Sequence, residues 1–453
     1  MKFYIILYNI FIVPLLFFTS KILVFFSPKM RSRSVNLKSS LSNLDKLKHN
    51  NKYTIWIHAS SMGEFEQAKP IIEALKSDIN KSSSTKNIQI VCSFFSSSGY
   101  NTQKNYSHTD VVCYLPLDTR KNAKKFISML NPDIAIFVRY ELWFNYLFEL
   151  KKQKIYTLLI NATFPSALKK YKFLKGAYTS IFNLFDKIYT ISNEQTLLFN
   201  SLEKIHTKII TSSDTRIERI MQKVTEAKTK PVLPRSYFGD DKTIIVAGST
   251  WEPDENYLIE AHKKLNKIYK NKIILILAPH EPTEKHINKI KSKNTCLLSE
   301  ILLYNYSNYS SNSNLVYNSN NNSFSNNNII SSNNNIIIVD SIGKLLKLYG
   351  TADAAYVGGA FGSAGVHSLT EPAGYGIPIC TGKNCYNSPD AKSLYELGAL
   401  TIAESEEDIF NWMERILLDK NFVSEAGAAA TNYIKNNSGA TETILKEIKK
   451  QIN

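Results

Sequence analysis

Apolar residues in this chain fall into short β-branched runs separated by amphipathic stretches. Between residues 53 and about 211 the runs 53–58, 88–92, 111–114, 134–138, 155–160 and 187–191 predict strands. Helical spacing fills the gaps; Phe65, Ala68, Ile72 and Leu75 share one face. Pro70 interrupts that pattern and predicts a helix that is kinked or starts late. A second series follows at 243–247, 273–278, 336–339, 354–357 and 378–380. Strands alternating with helices predict an α/β fold of two doubly wound parallel sheets, one in 29–211 and one in 242–429. The polar stretch 212–241, with Pro231 and Pro234, reads as the linker. Two such halves predict a cleft, with ligands at the carboxyl ends of the strands. Residues 430–453 predict a helix that folds back on the first half. Asn and Ser dominate 304–335, which predicts a disordered insertion in a surface loop.

The N-terminus breaks the alternation. Residues 3–20 are almost wholly apolar and 22–26 extend the run after Lys21, so a membrane anchor is expected over 1–28. No small-residue cleavage site follows, which argues against a cleaved signal peptide. The net charge is +16, and residues 1–52 hold nine basic side chains against Asp45 alone. Their placement after the apolar run puts the remaining chain on the cytoplasmic side and lets the basic patch meet anionic headgroups. No nucleic-acid reader motif accompanies the charge, so no nucleic-acid partner is expected. At 453 residues the chain is long enough for two or three domains. Its five cysteines are scattered and complete no metal site, so they read as buried thiols in a reducing compartment.

Chemistry-bearing residues cluster at the predicted strand ends. Val357-Gly358-Gly359 opens a glycine-rich loop that runs to His367 and on to Glu371-Pro372-Ala373. Backbone N–H groups there can bind a phosphate and Glu371 can accept ribose hydroxyls; a plain tight turn has the same glycines. Glu64, in His58-Ala-Ser-Ser-Met-Gly-Glu64, follows a strand and opens a helix. A carboxylate there can act as general base, with a pKa lowered by the helix end. Ser61-x-x-Glu64 equally fits a capping box, and the two readings stand side by side. Glu141, in Arg139-Tyr140-Glu141-Leu142-Trp143, has the same placement, as catalytic group or as partner of Arg139 or a lysine. Gly248-Ser249-Thr250 and Ala278-Pro279-His280 close two strands of the second half, where His280 can serve a phosphate or the fold. The lysines at 169, 170, 172 and 175 suit either the phosphates of a ligand or a solvated helix face.

Taken in order, the motifs from His58 to Glu64, Tyr114 to Asp118, Glu141 to Trp143, Gly248 to Thr250, Pro279-His280 and Val357 to Ala373 resemble the 3-deoxy-D-manno-octulosonic acid (Kdo) transferases of lipopolysaccharide assembly. The resemblance implies a GT-B glycosyltransferase at the inner membrane that moves Kdo from CMP-Kdo to a lipid A precursor. It implies inversion without a metal or other cofactor, and Glu64 as general base. Glu141, Ser61, Gly63 and Asn161 match acceptor-side or catalytic positions. Ser249, Thr250, Pro279, His280, Gly358, Gly359, Gly365, His367, Ser368, Glu371 and Asn387 match donor positions. Departures from the pattern are Arg139 for Glu, Phe144 for Pro, Thr163 for Arg, Trp251 for His and Ala278 for Arg. The competing expectations are a GT-B transferase or epimerase on another sugar nucleotide, and a non-catalytic membrane-tethered binder of nucleotide or lipid.

Overall fold

A computed structural model describes residues 2–47, 52–81, 87–292, 294–303, 335–386 and 388–452. The chain forms two compact units, 1–219 with 437–453, and 220–436. Among the described residues each unit is built on a seven-stranded sheet whose paired strands are all parallel.

In the first unit the strands are β1 (Lys52–His58), β2 (Asn87–Phe94), β3 (Val111–Tyr114), β4 (Ile134–Val138), β5 (Tyr156–Ala162), β6 (Lys187–Thr190) and β7 (Lys208–Thr211), in the order β3-β2-β1-β4-β5-β6-β7. The order reverses between β1 and β4, where their crossovers leave on opposite faces and open a crevice at the carboxyl ends. Alternate side chains enter opposite cores: Trp56 packs on one face, Ile55 and Ile57 on the other. Phe65, Ala68, Ile72 and Leu75 are buried on the helix Met62–Lys81, which starts before Pro70 and carries it inside. The last helix, Ala440–Ile452, buries Ile444, Ile448 and Ile452 in this unit's core, and its Glu447 pairs with Lys187.

The second unit contains β8 (Thr243–Thr250), β9 (Ile273–Pro279), β10 (Thr295–Leu297), β11 (Ile336–Ile338), β12 (Ala354–Val357), β13 (Ile379–Gly382) and β14 (Leu400–Ala403), ordered β10-β11-β9-β8-β12-β13-β14. Here the order reverses between β8 and β12. The stretch read as a linker contains the helix Thr215–Lys228, within which the chain passes from one unit to the other. Most of the Asn/Ser segment, 304–334, lies outside the described residues; Asn335 is buried and its side chain bonds Asn271, so that residue belongs to the fold. All five cysteines are free and buried.

The N-terminal run Phe3–Phe26 is 24 residues with a mean hydropathy of 2.0, helical and long enough to cross a membrane. A π turn over Tyr8–Ile12 precedes Pro14, whose ring cannot sit against a regular helical carbonyl four residues back. The beginning of the run is fastened to the first unit. Ile5 is buried, the Tyr8 hydroxyl donates to Asp118 at 2.7 Å, and the Asn9 amide donates to Asn145 at 2.9 Å.

Burial raises the Asp118 pKa from 3.8 to about 6, against the lowering effect of its hydrogen bonds from Tyr8 and the 144–146 amides. The folded state therefore holds a proton that the unfolded chain releases. This group's contribution to stability is complete below about pH 4 and is lost as pH rises through about 6, a swing of about 3 kcal/mol. Asp118→Asn, which keeps an acceptor and cannot ionise, should remove that swing. The check is the pH dependence of the unfolding midpoint in the two proteins; parallel curves between pH 4 and 7 contradict it.

Candidate active site

Two constellations form at the sheet reversals, one in each unit. In the first, β1 ends at His58 and pairs with β4, so the residues that follow these two strands emerge side by side. His58 is fully buried; its Nδ1 meets Ser93 Oγ at 2.8 Å, and its Nε2 lies 3.2 Å from both Ser60 Oγ and Glu141 Oε2. Glu141 Oε2 also accepts from the Ser60 hydroxyl and from Trp143 Nε1 at 2.5 Å. The expected pair of Glu141 with Arg139 does not form. Arg139 sits at φ +67 with its guanidinium 5.5 Å from the Tyr140 ring, while Glu141 turns inward to His58.

Glu64 completes this cluster. Its Oε2 accepts from the Ser61 amide at 2.7 Å and the Ser61 hydroxyl at 2.9 Å, so the capping box is formed. Its carboxyl also shares a hydrogen bond with Glu141. The cap and the paired carboxyl are thus one side chain, and capping leaves its general-base chemistry available. Two adjacent carboxyls cannot both ionise freely, and their surroundings push them apart. Burial and the Glu141 charge raise the Glu64 pKa, more than Ser61 lowers it. Glu141 is raised by burial but brought below its ordinary value by hydrogen bonds and charge from His58, with Ser60 and Trp143 adding to this. Glu64 therefore holds the proton of the pair at acid pH. The helix-end argument gave the opposite sign for Glu64; desolvation and a neighbouring carboxylate outweigh a helix terminus.

Gly63 is exposed, with open space where a Cβ would stand, and leaves approach to Glu64 uncrowded. Asn161 does not join the cluster. It is fully buried at φ +53, its Nδ2 donates to Thr215 Oγ1 at 2.6 Å, and its Oδ1 accepts from the Thr215 amide. Both ends of the amide fasten β5 to the start of the helix Thr215–Lys228, a structural role within the buried core.

In the second unit, Gly358 crosses so close to β8 that a Cβ would lie 2.5 Å from the Ser249 carbonyl oxygen. Gly359 is at φ +98 and Gly365 at φ +77, conformations that exclude most side chains. The Gly359 amide, expected at a phosphate, instead donates to the buried Asp254 at 2.9 Å. Asp254 also accepts from the Tyr356 hydroxyl at 2.7 Å and the Trp251 amide at 2.9 Å. Thr250 is likewise turned inward: its hydroxyl donates to the buried Glu255, whose other oxygen meets His286. Both residues shape the loop from beneath and leave the donor contacts to other groups.

What remains facing outward is a stack of three rings. Trp251 lies on His280 at 5.0 Å between centroids, His280 lies on His367 at 4.4 Å, and Trp251 Nε1 donates to His367 Nε2 at 3.2 Å. An indole nitrogen only donates, so the lone pair of His367 is on Nε2 and its proton on Nδ1. Burial and the neighbouring His280 lower the His367 pKa, consistent with a neutral ring. Ser249 is half-buried at φ +54, and Pro279 closes β9. Ser368 Oγ bonds Thr370 at 3.2 Å. Glu371 stands in the first turn of Thr370–Tyr375, its pKa raised by burial and opposed by Lys223. Asn387 lies outside the described residues. Trp251→Phe keeps the stack and deletes the N–H that favours the neutral ring, so the His367 titration midpoint should rise while burial and His280 still hold it below its ordinary value. Nitrogen-15 imidazole shifts read it directly; an unmoved midpoint contradicts the assignment.

Sequence reasoning passed over Asp254 and gave Trp251 no role beyond a departure from pattern. Asp254 lies in an acidic first helical turn with Glu252 and Glu255, a capping signal obscured because tryptophan holds the N-cap where Ser or Thr is usual. Among the described residues no group of three or more His, Cys, Asp or Glu side chains is placed to hold a metal ion.

The sequence profile of the 3-deoxy-D-manno-octulosonic-acid transferase (kdotransferase) family matches residues 32–219. A Haemophilus influenzae 3-deoxy-D-manno-octulosonic acid transferase is 23% identical over 401 residues, covering 87% of this chain and 86% of its own. The profile match over the first unit and relatives such as this one support the Kdo transferase family for this chain. An Aquifex aeolicus Kdo transferase is 26% identical over 349 residues, covering 77% of this chain and 81% of the relative. A bifunctional glycosyltransferase/methyltransferase from Fusobacterium nucleatum is 27% identical over 408 residues, and the match spans 58% of that longer protein. Among solved structures, UDP-GlcNAc 2-epimerase from Neisseria meningitidis superposes with a TM-score of 0.56 at 13% identity, covering 88% of this chain and all of the epimerase. The likeness is one of fold, and this chain has the two-unit α/β architecture of GT-B proteins.

Proposed function

We propose that the protein transfers Kdo from CMP-Kdo to a lipid A precursor, with inversion at the anomeric carbon and without a metal ion. The observation that carries this reading is the Glu64–Glu141 pair at the β1/β4 reversal, in which one carboxyl is ionised readily and the other holds its proton more tightly. A base with raised proton affinity is matched to a sugar hydroxyl, whose proton becomes acidic only as its oxygen bonds carbon.

In the step, the acceptor oxygen attacks the anomeric carbon of Kdo and Glu64 takes its proton. The bond from that carbon to the CMP phosphate oxygen breaks with its electron pair, and CMP departs as an anion. Glu141, held by His58, Ser60 and Trp143, raises the basicity of Glu64 by its charge. In the second unit we assign the CMP moiety to His280 and the Nδ1–H of His367, with Ser249, Pro279, Gly358, Gly365 and Ser368 around them and Glu371 for the ribose. Names borne by relatives support Kdo as the sugar transferred. The apolar run Phe3–Phe26 supports work at a membrane, which brings the enzyme to a lipid acceptor. We place the two units on the cytoplasmic face of the inner membrane, following the basic residues after the run.

Purified protein supplied with CMP-Kdo or with UDP-sugars separates this reading from its rivals. Release of CMP that depends on the acceptor supports it; turnover of a UDP-sugar alone overturns it. Addition of EDTA should leave the CMP-Kdo rate unchanged, and a chelator-sensitive rate restored by a divalent ion contradicts metal-free transfer.

A further inference from the structure

A second surface beside the apolar N-terminal helix has the chemistry of a bilayer contact. Within the fastened start of the helix, the Tyr4 hydroxyl packs so closely on Gly176 that a Cβ there would come within 2.6 Å. Beyond its fastened turns the helix exposes Ile10, Phe11, Leu15, Phe18 and Phe25. The segment leading to Gly176 is Lys169-Lys170-Tyr171-Lys172-Phe173-Leu174-Lys175. Residues 169–173 are all exposed, and Phe173 is 80% exposed. Leu168 is buried and Leu174 packs on the core, so the segment is pinned at both ends with its tip held outward. The Tyr171 and Phe173 rings lie 6.0 Å apart, and Lys170 Nζ sits 5.3 Å from the Tyr171 ring centre.

What distinguishes the segment from a merely solvated face is the pairing of two exposed rings with four lysines. Aromatic rings flanked by lysines suit the boundary between headgroup and acyl chain, where the ring is apolar-side and the ammonium groups meet phosphates. We propose that Tyr171 and Phe173, ringed by Lys169, Lys170, Lys172 and Lys175, insert into the headgroup layer of an anionic bilayer. Two things commit the surface to that occupant: the charge complementarity of the lysine run, and its continuity with the exposed apolar helix through Tyr4. The inference rests on the membrane reading given above and adds a second, electrostatic point of contact. With two contacts the first unit is held at a fixed attitude to the lipid surface instead of swinging from one helix.

The test uses the full chain with a nitroxide on Phe173→Cys, and separately on Phe18→Cys; the five native cysteines are buried and spared by the reagent. On vesicles of phosphatidylglycerol and phosphatidylethanolamine, both labels should collide more with oxygen than with a water-soluble nickel complex. Lys169→Gln, Lys170→Gln and Lys172→Gln together should return the 173 label to water, lowering the embedded population by roughly fivefold per charge. A buried 18 label with an aqueous 173 label overturns this inference and leaves the helix contact standing. Two aqueous labels overturn the membrane reading and this inference with it. A 173 label whose depth ignores the lysine changes overturns the electrostatic contact.

Discussion

Replacing Glu64 by Gln should lower kcat by roughly 10²- to 10⁴-fold, the usual worth of a positioned general base, and leave the fold intact. The amide keeps an oxygen for the Ser61 amide and hydroxyl, so the helix cap survives. Glu64→Ala is the less informative change, because it also removes the cap, at about 1 kcal/mol. With Glu64 as the proposed base, the active form has Glu64 ionised. Activity therefore falls as pH drops through the Glu64 pKa, and that limb lies above the ordinary glutamate range because burial and Glu141 raise it. Glu141→Gln removes the neighbouring charge and should move the limb to lower pH. It also changes what faces His58, Ser60 and Trp143, so its kcat falls as well. A pH–rate profile of wild type and Glu141→Gln separates the two effects: a limb that stays in place contradicts the coupling of the two carboxyls.

The second large effect belongs to Asp254→Ala. Asp254 is fully buried and accepts from the Tyr356 hydroxyl, the Trp251 amide and the Gly359 amide. Removing it strands three donors, at a cost of about 3–5 kcal/mol after relaxation. Because Trp251 and Gly359 flank the proposed donor groups, the loss should also loosen the ring stack and the glycine turn. Amide hydrogen exchange reads both at once. Exchange at Gly359 and Trp251 should accelerate by at least about a hundredfold, the equivalent of roughly 3 kcal/mol of lost protection. Wild-type exchange rates at those two amides contradict the role given to Asp254. Asp254→Asn, which retains one acceptor oxygen, should fall between.

How much of this was legible in the sequence follows from where each element sits. Strands buried on both faces, such as β1, β4 and β9, are continuous apolar runs and were located within one or two residues. The three strands that escaped notice, β7, β10 and β14, are sheet edges. An edge strand needs apolar side chains only in part: β7 is exposed or half-buried throughout, and only the short run Ile209-Ile210-Thr211 marks it. The candidate site divides in the same way. Strand-end positions of Glu64, Glu141, His280 and the glycine loop follow from local pattern, because the fold class fixes what a strand end faces. What each side chain touches does not. Thr250, Asn161 and the Gly359 amide look outward in sequence and are taken up by Glu255, Thr215 and Asp254, partners that the chain brings from 5 to 105 residues away. The sign of the Glu64 shift was missed for the same reason, since Glu141 is its neighbour only across the sheet reversal.

Mass spectrometry of a lipid A precursor incubated with CMP-Kdo and the full chain tests the central claim most directly. Wild type should add Kdo to the acceptor and Glu64→Gln should add almost none in the same interval. An acceptor left unchanged by wild type, or modified equally by both proteins, would contradict the account.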